Sequence, residues 1–132
     1  MLDLVLLPDD YAVCRLPDGS PLPSGLGPGS GAGVVSITWT PTETSIICTA
    51  GQAPADGIVN TPWRCLRVNG PVNLALTGIL ASLANPLAEA RVNIFAFSTY
   101  DTDYLLVPAV RLEEALSALA AAGHRVSTPA TP

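Results

Sequence analysis

The sequence predicts an α+β fold, an antiparallel sheet carrying two helices on one face. Three observations predict it. The second half reads strand (64–68), helix (77–90), strand (92–98), strand (103–107), helix (111–122), strand (124–127), which is βαββαβ. Both helical stretches place apolar residues at three- and four-residue spacing, while the strands are short apolar runs between turn signals. A faint internal repeat suggests a chain of two parts. Thr40–Cys48 (TPTETSIIC) aligns without gaps on Thr99–Val107 (TYDTDYLLV), each a polar turn opening with Thr and feeding an apolar strand.

In chain order, Leu2–Leu7 and Tyr11–Leu16 form two strands joined by Pro8-Asp9-Asp10. Pro17–Gly33 holds four prolines and six glycines. It lacks the Gly-Lys-Ser/Thr ending of a phosphate loop and reads as a flexible surface connection. Val34–Trp39 and Ser45–Cys48 are the next strands, and Ala50–Pro62 reads as loop. In the first helix Leu76, Ile79, Leu80, Leu83 and Leu87 line one face. Thr77 is its expected N-cap, and Pro86 should kink or restart it. In the second, Leu112, Ala115, Leu116 and Leu119 form the buried stripe. Glu113 and Glu114 suit its positive end, and Gly123 stops it. The expected division is 1–62, 63–128 and a disordered tail at 129–132.

Composition narrows the function. The 132 residues are 48% hydrophobic and 13% charged, too apolar for a disordered chain. No apolar run reaches the roughly 18–20 residues of a membrane helix, and the start, MLDLVLLPDD, has no basic n-region. A cytoplasmic protein without a membrane partner is expected. The six basic residues are scattered arginines and the net charge is −5, which argues against nucleic acid. So few charges suggest that another subunit covers some apolar surface. Cys14, Cys48 and Cys65 are odd in number and widely spaced, so neither a disulfide framework nor a zinc site is expected. The lone His124 has no second ligand or nucleophile nearby in sequence. With no lysine, paired carboxylates or triad, no catalytic residue, metal or cofactor is expected. Trp39 and Trp63 read as core or interface anchors.

The most informative stretch is Asn93–Val107 (NIFAFSTYDTDYLLV). Its turn crowds Ser98, Thr99, Tyr100, Asp101, Thr102, Asp103 and Tyr104 between apolar arms, suited to recognising a small polar molecule. An amino acid needs donors for its carboxylate and acceptors for its ammonium. The start of the first helix, Thr77-Gly78-Ile79, can supply the donors. Gly78 lets a ligand approach the backbone, or serves helix–sheet packing alone. Asp101 or Asp103 can accept from an ammonium; alternatively Asp103 caps its own turn.

GPVNLALTGILASLANPLAEARVNIFAFSTYDTDYLLV (70–107) resembles the signature of the CASTOR-like ACT-domain family, bacterial type, and TPTETSIIC (40–48) its first-half motif. The resemblance covers about Tyr11 to Val126. It implies tandem ferredoxin-like ACT units related to those of aspartate kinases, the first degenerate, with an amino acid bound at an interface between units in a homodimer. Carried over, the ligand residues are Ser45, the backbone of Ile46, Gly78, Thr99, Tyr100 and Asp103. Arginine-binding relatives place an acid about one helical turn after the pocket glycine. Here that position is Ala81, so a smaller or less basic amino acid fits as well as arginine. The expected function is a non-catalytic amino-acid sensor. The alternative is an oligomerisation or interaction domain with a vestigial pocket.

Overall fold

A computed structural model describes residues 1–27, 33–70 and 77–128. In chain order its strands and α-helices are β1 (Asp3–Leu6), β2 (Tyr11–Leu16), β3 (Ser36–Thr40), β4 (Glu43–Thr49), β5 (Ile58–Val68), α1 (Ile79–Glu89), β6 (Phe95–Ser98), β7 (Asp103–Pro108), α2 (Leu112–Ala121) and β8 (Arg125–Ser127). They form two compact units: Asp9–Trp63, and a second made of Met1–Pro8 with Arg64–Pro132. This division differs from a cut after residue 62 in where it puts the first eight residues and Trp63.

The helical unit has the expected βαββαβ order with one strand added. Its strands run β8-β1-β5-β7-β6. β1 lies between β5 and β8 of its own chain, antiparallel to β5 (Leu4↔Val68, Leu6↔Leu66) and parallel to β8 (Leu4↔Val126). Alternation puts Leu4, Leu6, Leu66, Val68, Leu105 and Val107 on one face, where they meet Leu83 and Leu87 of α1 and Ala115 and Leu119 of α2. Both helices therefore cover the same side of the sheet, the ferredoxin-like arrangement.

Each helix ends in a Schellman motif. The Val92 amide donates to Leu87 O (2.9 Å) and that of Arg91 to Ala88 O (3.0 Å); the His124 amide donates to Leu119 O and that of Gly123 to Ala120 O, both at 3.0 Å. Gly123 takes the left-handed position as expected, at φ +93°, but after α1 the residue is Arg91, at φ +60°. That reversal delays the following strand to Phe95. The Arg111 guanidinium then donates to Ala90 O (3.2 Å) at the exposed end of α1.

The start of α1 corrects the sequence reading. Its N-cap is Gly78, at φ +79°, and Thr77 lies outside the helix. A left-handed turn brings the chain into the helix, which a glycine adopts without strain. Leu76 falls outside the described residues. Pro86 sits within α1, which neither stops nor restarts there. Proline cannot donate to Ser82 O four residues back; His124 Nε2 meets that oxygen instead, at 2.9 Å.

The unit Asp9–Trp63 is an antiparallel sheet in the order β3-β4-β2-β5, the last contributing Ile58–Trp63. It has no α-helix among its described residues, only a 3-10 turn at Ala50–Gln52. Ala12, Cys14, Leu16, Ile46 and Cys48 form its core face, packed by Leu26 and by the half-buried Val35, Ile37 and Ala53. The described residues of Pro17–Gly33 are mostly exposed, as a surface connection should be, but Leu26 turns inward onto the core face. Gln52 Nε2 donates to Gly25 O (3.2 Å) and the Val34 amide to the Tyr11 hydroxyl (3.0 Å). Ile58–Pro62, expected as loop, is strand. The β2–β5 register shifts between Tyr11 and Val13, beside Thr61 and Pro62, and such an irregularity accommodates a residue without a backbone N–H. The proposed tail at 129–132 lies outside the described residues.

Gly33 provides a stability test. It has φ +101°, and a Cβ there would lie 2.6 Å from the Thr49 methyl and 2.8 Å from the Tyr11 hydroxyl. Gly33→Ala should destabilise the protein by about 1–3 kcal/mol, read as a lower urea midpoint with unchanged slope.

Candidate functional site

The candidate site begins with the β6–β7 hairpin. Its arms are in register from Phe95↔Leu106 to Ser98↔Asp103, and Phe97 stacks on Tyr104 at the base, with centroids 5.0 Å apart and planes 6° from parallel. Thr99 and Thr102 close the turn: the Thr99 amide donates to Thr102 O (2.9 Å). The Thr102 hydroxyl donates to Val68 O at 2.7 Å, a buried bond that fixes the turn to the end of β5. The Ser98 hydroxyl donates to Asp103 Oδ1 at 2.6 Å. Asp103 is thus held across the hairpin by a side chain. Tyr100, at the tip, is 83% exposed.

Gly78 heads α1 in the same unit. Its carbonyl accepts from the Ser82 amide (2.9 Å), and the space where a Cβ would project is open among the described residues. No described side chain caps the amides of the first turn. Such amides, with the helix dipole behind them, favour a negative group. Ala81, on the first turn, is exposed.

Ser45 and Ile46 belong to β4 in the other unit, on opposite faces. Ser45 is half-buried, between Arg15 on β2 and Thr38 on β3. Ile46 is fully buried in the core. The fold thus gathers Thr99, Tyr100 and Asp103 into one turn, puts Gly78 at a helix start in the same unit, and places Ser45 and Ile46 in β4. Sequence reasoning passed over Ser98 and Thr102 as ligand-site supports. Their signal was the hydroxyl-rich turn itself: one hydroxyl orients the carboxylate and the other anchors the loop.

Two surface grooves lie elsewhere. One, of about 430 Å³, is lined by Asn85, Pro86, Glu89, Ala90, Ala118, Ala121 and Ala122. The other, of about 360 Å³, lies among Arg15, Leu16, Pro17, Asp18, Asp56 and Ile58. Neither includes the six residues above. The three cysteines are free and buried. Burial pushes the Cys48 and Cys65 thiols up to about 12, which makes them poor nucleophiles at neutral pH. Trp63 is buried but Trp39, on strand β3, is 63% exposed and so is no core anchor of this chain. No helix among the described residues is long and apolar enough to cross a membrane.

Known proteins share this architecture. Residues 58–121 match the ACT domain family. Protein Atu0741 from Agrobacterium tumefaciens is 35% identical, with 98% of this chain and 95% of that one aligned and a TM-score of 0.88. The regulatory subunit of aspartate kinase from Thermus flavus has the same fold at a TM-score of 0.58 and 14% identity, over 90% of this chain and 95% of that one. The human "Cytosolic arginine sensor for mTORC1 subunit 1" is 40% identical over 47 residues, 35% of this chain and only 14% of that protein.

Two outcomes follow from this geometry. Thr102→Val should lower stability by about 1–3 kcal/mol by leaving Val68 O without its buried donor, while Thr102→Ser retains most of it; urea unfolding measures both. In native protein at neutral pH the thiols should resist an aromatic disulfide reagent, and all three should react once the chain is unfolded in guanidinium.

Proposed function

Because the chain belongs to the ACT-domain family, we propose that it is a non-catalytic regulatory module that binds a free amino acid. One observation carries this reading: the hairpin presents an oriented carboxylate among hydroxyls, in the same unit as a glycine-headed helix whose first-turn amides no described side chain caps. The first group suits an ammonium and the second a carboxylate. In the proposed pocket Asp103 accepts from the ligand ammonium and Gly78 admits its carboxylate. Thr99, Tyr100, Ser45 and the Ile46 backbone complete the ring, at an interface between ACT units. The region up to about residue 62 acts as a degenerate first unit and 63–128 as the second, in a cytoplasmic homodimer.

The partial likeness to a named arginine sensor supports an amino-acid ligand without fixing which one. Ala81 offers a methyl group where an acid would hold a guanidinium, so a smaller or less basic amino acid is as well suited. Binding regulates only if it favours one of two states.

A second reading, an interaction domain with a vestigial pocket, draws on two observations. Ser98 already occupies one oxygen of Asp103, and the exposed Trp39 offers an anchor for a partner protein.

A thermal-shift screen against the twenty amino acids separates the two. At about 100 times Kd, a true ligand stabilises by about 2.7 kcal/mol. The sensor reading expects a selective shift that is lost in Asp103→Ala and Ser45→Ala. A flat screen on folded protein at millimolar concentrations would leave the interaction domain.

A further inference from the structure

The groove among Arg15, Leu16, Pro17, Asp18, Asp56 and Ile58 lies wholly within the unit Asp9–Trp63 and has a volume of about 360 Å³. Small-molecule sites run from roughly 300 to 1,000 Å³. All its lining residues except Ile58 fall outside residues 58–121, the stretch that matches the ACT domain family. The groove carries both signs of charge. Arg15 on β2 is the direct cross-strand neighbour of Ile58 on β5, so the two side chains share one face of the sheet. Ile58 is 74% exposed, an apolar side chain left in solvent beside a guanidinium.

Local structure fixes the charged groups. Arg15 Nη2 donates to Thr42 O at 2.9 Å, which holds the guanidinium in place. The same nitrogen is 3.9 Å from Asp18 Oδ1, beyond hydrogen-bond reach, in a pair whose side chains are at least half exposed. Such a loose, exposed pair contributes little and yields readily to a ligand. The turn before β5 supplies the second carboxylate. The Gly57 amide donates to Pro54 O (3.4 Å), and a Cβ on Gly57 would lie 3.1 Å from Arg15 O, so this turn packs against the end of β2. The missing side chain of glycine permits that approach. Asp56, exposed beside it, makes no hydrogen bond or ion pair with a described residue.

We propose that this groove binds a small zwitterion with an apolar body. Arg15 takes the carboxylate and Asp56 the ammonium, each through a charge-assisted hydrogen bond. Ile58 and Pro17 cover the apolar part, which removes the exposed isoleucine from water. A simple anion would meet the carboxylates of Asp18 and Asp56, and a simple cation would meet Arg15. Only a molecule that carries both charges is matched. A free amino acid and a dipeptide share this chemistry. The site goes beyond the amino-acid pocket at the hairpin and stands without it, since none of the six residues of that pocket lines the groove.

Amide NMR titrations of the full chain with L-leucine and with the dipeptide leucyl-leucine test this. One or both should move the resonances of Arg15, Asp18, Asp56 and Ile58, and which of them does so sets the size of the ligand. For whichever binds, the N-acetylated form lacks the ammonium and the C-terminal amide lacks the carboxylate. Each should bind about tenfold more weakly, the loss of one charge-assisted hydrogen bond. Asp56→Asn changes an exposed side chain and leaves the fold intact; it should no longer favour the zwitterion over its N-acetylated form. Arg15→Gln should likewise cease to favour the zwitterion over its amide. No movement at these resonances with either zwitterion up to tens of millimolar would overturn the proposal, as would unchanged preferences in Asp56→Asn. The groove shifts should also persist in Asp103→Ala, which removes the acceptor of the hairpin pocket; their loss there would overturn the assignment to this groove. Failure of the hairpin pocket is read separately, as still resonances at Gly78 and Thr99.

Discussion

The helical unit depends on the placement of β1. Four residues from the beginning of the chain lie between β5 and β8, with pairing on both edges. Leu4 and Leu6 on that strand are core residues beneath the helices. Without β1, β8 would lose its only strand partner among the described residues. The unit therefore closes only when the first eight residues meet the segment that begins at Arg64. This is a long-range contact of the kind that makes folding slow relative to local hairpins and helices.

The same unit shows how a sequence compensates for its own breaks. Pro86 removes a helix donor and an imidazole from after α2 replaces it. Arg91 takes a left-handed conformation unfavourable for a side chain, and the guanidinium of Arg111 meets the carbonyls at that helix end. Thr102 carries a hydroxyl into the interior, where Val68 O accepts it. Among the described residues these buried polar groups have partners, and Arg64 Nε is a buried side-chain nitrogen that has none. The hairpin turn and the start of α1 differ: Asp103, Tyr100 and the first-turn amides of α1 remain at least partly accessible. That contrast between a satisfied interior and accessible polar groups is what a binding region requires.

Much of this was legible in the sequence. Two helices with three- and four-residue spacing, a hairpin with a polar tip, and Gly123 as a stop each rest on short-range rules, and those elements appear where the rules put them. What was missed depends on long-range partners. Pro62 reads as a breaker because the register shift opposite it is invisible in one strand. The Pro/Gly-rich stretch reads as linker because only the fold shows Leu26 and Gly33 against the sheet. Thr77 has the chemistry of an N-cap, but Gly78 has the backbone freedom, and the turn into α1 needs the second. His124 appeared idle because its partners lie 122 and 42 residues away in sequence. For the candidate site, the turn was legible as one cluster; the internal bond from Ser98 to Asp103 was not, because strand register decides it.

The measurement that bears most directly on this account is an amide NMR titration with single amino acids, which reports where binding occurs as well as whether it does. The account predicts that one amino acid moves the resonances of Gly78, Thr99, Tyr100 and Asp103 together with Ser45. Movement confined to the groove at Asn85 and Ala118, or no movement with any amino acid, would contradict it.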